Sequence, residues 1–282
     1  MKQVFLIHAH KDLVQLNALL ARLSDPDFAL YVHLDRKWRL DPGQVDPRAQ
    51  RIAPRLDVRW GHFSQVRATL ASLRFILARE PSFDKLLFLS AQDYPVLSNP
   101  ALKRALALLE GRELIDCAKI GPDGWPAHYR YQYFYSEGGA WPARLACALA
   151  NRALRVAGCT RRLPAGLQPW GGSTWWTLSR PCLVHLLQRV DEQPGLARFF
   201  RTVLCPDEMF FHTLVMASSY APPVLSNYRY VQWPAGRARN PQVLVEADFE
   251  RVLASGAHFC RKCESGRSDG LRARLDAWAG VA

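Results

Sequence analysis

The sequence predicts an α/β fold in which a mixed, mostly parallel central sheet is flanked by helices. Three observations point there. The run 86–96, Leu-Leu-Phe-Leu-Ser-Ala-Gln-Asp-Tyr-Pro-Val, begins with four large apolar residues and turns abruptly polar. That is the pattern of a strand buried on both faces of a helix-covered parallel sheet. The chain also opens strand–helix–strand, with apolar runs at 4–8 and 29–34 around a helical stripe. Finally, these strands end in polar residues: His8, His10 and Lys11, then Asp35, then Ser90, Gln92, Asp93 and Tyr94. Open α/β sheets bind ligands at that edge. No Gly-x-Gly-x-x-Gly follows the first strand, so a dinucleotide pyrophosphate loop is not expected.

In chain order, Asp12 is placed to cap a helix whose Leu13, Leu16, Leu19, Leu20 and Leu23 share a face. The segment 24–28 is a turn and 29–34 the second strand. A polar, proline-containing linker at 39–54 leads to Trp60-Gly-His-Phe-Ser64. Ser64 is read as the cap of a helix with the core stripe Val66, Leu70, Leu73, Ile76 and Leu77. A short helix from Pro100 and a strand at 114–119 follow. The segment 121–141 crowds Trp125, His128, Tyr129, Arg130, Tyr131, Tyr133, Phe134, Tyr135 and Trp141 together. It reads either as an aromatic hairpin packed on the sheet or as flat platforms for sugar rings. Beyond it lie a helix at 144–156, a strand at 174–178, and a helix opened by Pro181. Cys205-Pro-Asp-Glu208 reads as a further helix start, with Met209, Phe210, Leu214 and Val215 entering the core. Strands at 228–233 and 257–261 and a last helix carrying Leu271, Leu275 and Trp278 complete the chain. We read residues 1–282 as one domain, with a nucleotide-binding half (1–120) and an acceptor and catalytic half (121–282).

Composition narrows the function. No apolar run approaches the roughly 20 residues that span a bilayer, and the amino terminus reads as a strand rather than a signal peptide. A cytoplasmic protein is expected. Seven cysteines without framework spacing fit reduced thiols, and Cys260-Arg-Lys-Cys263 lacks the second pair a structural zinc needs. The net charge of +12 suits anionic partners. Its arginines are scattered over helices, which fits a solvated surface with a side for an anionic membrane and argues against nucleic acid.

The landmarks occur as a series: His10-Lys-Asp, His33-Leu-Asp35, Trp60-Gly-His-Phe-Ser64, Leu89-Ser-Ala-Gln-Asp-Tyr-Pro95, Gly171-Gly-Ser-Thr-Trp-Trp-Thr-Leu-Ser-Arg180, Pro206-Asp-Glu-Met-Phe-Phe211, Tyr228-Arg-Tyr-Val-Gln-Trp233 and Phe259-Cys-Arg-Lys262. Each is weak alone. Eight in order resemble the core-2/I-branching glycosyltransferases, the family that includes the peptide O-xylosyltransferases. The resemblance implies a modified GT-A fold and inverting transfer of a sugar from a UDP-sugar, without a metal or other cofactor. N-acetylglucosamine is the first choice of sugar, and the acceptor is a hydroxyl of a glycan or lipid-linked saccharide. It carries the base role to Glu208 and the stabilisation of departing UDP to Arg229 and Lys262. Inversion in one displacement needs a base on the attacking hydroxyl opposite the leaving group, and two cations can offset diphosphate charge. Alone, Glu208 would be an acid favouring a helix dipole by about 0.3–1 kcal/mol, and the two cations would be surface charges.

His10, Asp35 and Ser64 are candidates for the nucleoside, and Asp93 for the donor sugar or the acceptor. Arg130, Tyr131, Trp175 and Asp207 are candidates on the acceptor side. His212, one helical turn after Glu208, reads as a core histidine rather than a partner that tunes it. Asp25-Pro-Asp27 is the one Asp-x-Asp triplet, and it precedes a strand where a metal-holding triplet would end one. Animal members carry a membrane anchor, a stem and paired cysteines that this chain lacks, so a compact bacterial-type enzyme is expected. Three alternatives stay open: a metal-dependent transferase, O-xylosyl transfer from UDP-xylose, and a non-catalytic glycan- or polyanion-binding protein.

Overall fold

Alternation along buried strands organises the molecule, a computed structural model that describes residues 2–136, 140–222, 224–234, 236 and 240–281. The strands are β1 (Gln3–Ala9), β2 (Phe28–Leu34), β3 (Ala49–Arg51), β4 (Lys85–Ser90), β5 (Asp93–Pro95), β6 (Cys117–Lys119), β7 (Trp170–Gly172), β8 (Thr177–Ser179), β9 (Arg229–Val231) and β10 (Phe259–Arg261). The main sheet has the order β3-β2-β1-β4-β8. Its first four strands are parallel, and β8 runs antiparallel to β4. Val4, Leu6, Leu86 and Phe88 face one core, while Phe5, Ile7, Leu87 and Leu89 face another. The period of two thus buries both faces. The parallel register aligns His8 with His33 and with Ser90, so the polar strand ends gather at one edge.

Helices cover both faces. They are α1 (Leu13–Arg22), α2 (Ser64–Leu77), α3 (Asn99–Leu108), α4 (Tyr129–Gln132), α5 (Trp141–Val156), α6 (Arg180–Glu192), α7 (Pro194–Phe200), α8 (Phe210–Met216), α9 (Phe249–Ala254) and α10 (Asp269–Trp278). Asp12 caps α1 by accepting from Gln15 N, as expected, and Pro181 sits in the first turn of α6. Among the described residues no helix is long and apolar enough to cross a membrane.

Several elements differ from the sequence reading. The apolar start of the run 86–96 is the expected strand, β4, but its polar end, read as the strand's exit, forms a second strand, β5. The Asp93 carboxylate accepts from both Ser90 N and Ser90 Oγ at 2.6 Å, closing a turn that hands the chain to a second sheet, β5-β10-β9. Ser64 is no cap: its hydroxyl is held by the backbone of Arg59, and Phe63 precedes the helix. The linker contributes β3, too short and polar to show periodicity. Strand 114–119 shrinks to β6, and strand 174–178 to β8. The aromatic segment forms a turn and the one-turn α4 instead of a hairpin, and its residues 137–139 lie outside the described residues. Pro206–Glu208 is a single 3-10 turn ahead of α8. Trp278 points to solvent.

Candidate active site

The turn Pro206–Glu208 stands where three motifs meet. Cys205, just before it, takes left-handed backbone (φ +49°), a conformation that costs a non-glycine residue about 1 kcal/mol or more. Its N–H donates to Gly61 O at 3.0 Å, tying the turn to the Trp60–Ser64 loop. Opposite, the backbone of Gly171 presses on the turn: a Cβ there would lie 2.8 Å from Glu208 O and 2.6 Å from the Trp125 ring. Only glycine permits that approach at 171, and at 172 a Cβ would lie 2.2 Å from Asp116 O, so backbone crowding accounts for both glycines.

The two adjacent acids then diverge. Asp207 is buried, accepts from Thr174 Oγ1 at 2.9 Å, and keeps Oδ1 without a partner. Burial, and secondarily the neighbouring Glu208 charge, pushes its pKa up to about 7. Glu208 leaves 32% of its side chain exposed and pairs with Arg130, whose guanidinium lies 4.4 Å above the Trp125 ring. Tyr131 is half-buried and packs on the main core. His212 is fully buried with Nε2 bonded to Ser173 O at 2.8 Å, and burial holds its pKa near 4. That is a core histidine.

Trp175, next to Thr174, links this turn to a cationic cluster. Its ring lies 4.9 Å from Phe88 and under Arg261, whose guanidinium is 4.7 Å from the ring centroid. Asp93, fully buried, is 2.7 Å from Arg229 Nε and 3.9 Å from Arg261 Nε. The Arg229 side chain is 2% exposed, so its charge is committed to Asp93 rather than to the surface. Arg261, which sequence reasoning quoted within a motif but gave no role, is the more open of the two arginines. The signal was there: an arginine directly before Lys262 at a strand end. Burial lowers its pKa to about 10, leaving it charged at neutral pH.

Lys262 stands beyond β10, with Nζ 3.2 Å from Asn240 Oδ1. Its pKa is lowered by burial and then by Arg261 and Lys11, so positive charge accumulates here. The same field reaches His10 at the end of β1, whose pKa is lowered by burial and then by Lys11. Asp35, at the end of β2, accepts from Lys37 N at 2.8 Å and lies 3.0 Å from Lys37 Nζ. His10, Asp35 and Lys262 are therefore brought together. The Ser64 hydroxyl is held by the backbone of Arg59 beside the Trp60 loop. Asp25 and Asp27 both hold Lys103 before β2 begins, at the opposite end of that strand from Asp35. Among the described residues, no group of three or more His, Cys, Asp or Glu side chains is arranged to hold a metal ion.

The profile of the Core-2/I-Branching enzyme family matches residues 4–252. The chain belongs to that family. Among core-2/I-branching relatives, it is similar to Xylosyltransferase oxt of Drosophila pseudoobscura pseudoobscura, 26% identical over 94% of this chain and 32% of that protein. It is similar also to Xylosyltransferase 2 of Homo sapiens (29% identical, 78% of this chain, 25% of that one). Beta-glucuronosyltransferase GlcAT14B of Arabidopsis thaliana is 25% identical over 71% of this chain and 45% of its own length. The chain thus spans less than half the length of each of these relatives. Among solved structures, the WbbM bifunctional glycosyltransferase apo structure aligns at a TM-score of 0.33 and 10% identity, over 93% of this chain and 46% of that one.

Proposed function

We propose that this protein is an inverting, metal-independent glycosyltransferase of modified GT-A type that moves a sugar from a UDP-sugar to a hydroxyl of a glycan or lipid-linked saccharide. The observation that carries it is the set of contacts that runs from the Pro206–Glu208 turn, through the Asp207–Thr174 hydrogen bond and the adjacent Trp175, to Arg261. It joins the turn that carries the partly exposed Glu208 carboxylate to a cationic cluster whose Arg261 lies over the Trp175 ring. In the proposed step, Glu208 takes the proton of the acceptor hydroxyl as its oxygen bonds to the anomeric carbon. The bond from that carbon to the β-phosphate oxygen breaks, and UDP leaves with the electron pair. Arg261 and Lys262 offset the charge on the diphosphate, while Arg229 neutralises Asp93 beneath them. His10 and Asp35 face the nucleoside, and Arg130 and Trp175 the acceptor. Asp207 is too buried to reach a hydroxyl and holds Thr174 instead.

The donor is proposed as a UDP-sugar, with N-acetylglucosamine, xylose and glucuronic acid as the candidates; the relatives' names support the last two. The test is turnover of each UDP-sugar by the wild-type protein and Glu208→Gln, with UDP binding followed by calorimetry. Glu208→Gln should lose about 100- to 10,000-fold in kcat and keep its UDP affinity. Undiminished turnover in Glu208→Gln would reject the base assignment. Glycan binding by a wild-type protein that binds no UDP-sugar would favour a binding protein.

A further inference from the structure

Helix α5 buries no residue, although it spans 16 positions and carries large apolar side chains. Trp141 is 73% and Leu149 58% exposed, and Leu145 and Val156 are also open to solvent. At 100° per residue these four fall within an arc of about 80° around the helix axis, an outward-facing apolar stripe that the exposed Arg152 interrupts. The half-buried Cys147, Ala150, Asn151 and Leu154 form the inner side. Asn151 fastens that side down, accepting from Phe134 N at 2.7 Å and donating to Phe134 O at 2.9 Å.

Charge decides what covers the stripe. Arg144, Arg152, Arg155 and Arg162 are exposed along and just beyond the helix, and no aspartate or glutamate occurs anywhere in 140–190. A folded partner protein seldom offers a broad anionic surface beside an apolar one, whereas an acidic bilayer offers both at once. Phosphate headgroups would meet the arginines, and the acyl boundary would take Trp141, Leu145, Leu149 and Val156. We infer that α5 docks this protein on an anionic lipid surface, the helix lying in the plane of the interface. The Phe134 clamp joins α5 to the aromatic segment that carries Arg130, so docking brings the acceptor side of the candidate site to the membrane. Vesicle binding needs no turnover, so this inference stands or falls independently of the proposed reaction.

The experiment is co-sedimentation of the full chain with phosphatidylcholine vesicles containing about one-third phosphatidylglycerol, and with phosphatidylcholine alone. The wild-type protein should partition into the anionic vesicles at least about tenfold better, and added salt should erode the preference. Leu145→Glu/Leu149→Glu should abolish binding with its melting temperature unchanged. Arg152→Ala/Arg155→Ala should weaken binding about fivefold or more for each charge removed. Equal binding to neutral vesicles, or retention by the leucine variant, would overturn the inference. So would a wild-type dimer in light scattering that the leucine variant dissociates while neither protein binds vesicles.

Discussion

The Arg130 guanidinium pairs with the Glu208 carboxylate while lying 4.4 Å above the Trp125 ring, so the exposed acid of the Pro206–Glu208 turn is aimed by a stacked cation. Arg130→Ala should therefore lower kcat/KM by about 100-fold, the scale of an ångström of misplacement. In a Glu208→Gln background the same change should cost little more, because residues that act as a unit are not additive. Steady-state kinetics on the four proteins check this. Penalties that simply multiply would mean that Arg130 works on the acceptor without Glu208.

Asp93 and Arg229 make a buried ion pair, 0% and 2% exposed. Removing one partner strands a charge in the interior, and Asp93→Asn or Arg229→Met should each cost about 3–5 kcal/mol. The double variant Asp93→Leu/Arg229→Met should recover much of that, as measured by urea unfolding. If Arg229→Met left stability intact and weakened only UDP binding, Arg229 would be a diphosphate ligand, as the motif resemblance implied.

Much of this arrangement was legible in the sequence, for identifiable reasons. Val4, Leu6, Phe5 and Ile7 alternate between two cores, so the apolar runs announced a doubly covered sheet. His10, Asp35 and Lys262 lie at element ends, where chemistry collects in such sheets. Illegible parts depend on contacts between distant residues. Which of Arg229 and Arg261 is committed to Asp93 depends on a partner 136 or 168 positions away in the chain (229 − 93 and 261 − 93). Ser64 looked like a cap because serine usually is one, until Arg59 folded back to use its hydroxyl. The polar end of the run 86–96 read as a strand's exit and not as a second strand, because nothing local reveals that the Asp93 side chain closes a turn on Ser90.

Asp207 should make stability fall as pH rises. Its folded pKa is raised to about 7 from an ordinary 3.8, burial being the larger cause and Glu208 the next. Below about pH 4 both states hold the proton and the contribution is whole. Between there and about pH 7 the unfolded chain ionises while the folded one keeps its proton, so unfolding is favoured by at most about 4 kcal/mol. Asp207→Asn removes the titration. The difference in unfolding free energy between wild type and variant should drift over that interval and flatten above it. Parallel curves from about pH 4 to about pH 7 would show that Asp207 is already ionised in the folded protein.

Arg261 lies over the Trp175 ring, is less buried than Arg229 and has the Lys262 ammonium next to it, so it should be read out by the phosphates and not by the base. Arg261→Ala should weaken UDP binding about 10- to 100-fold, on the scale of one charge-assisted contact at a shielded diphosphate. Uridine, which lacks phosphate, should bind wild type and variant alike. Arg261→Lys should restore only part of the UDP affinity, since an ammonium neither forks across two oxygens nor lies flat on Trp175. Calorimetry with the two ligands separates the cases. An equal loss for uridine would mean that Arg261 props up the pocket wall and leaves the diphosphate to other cations.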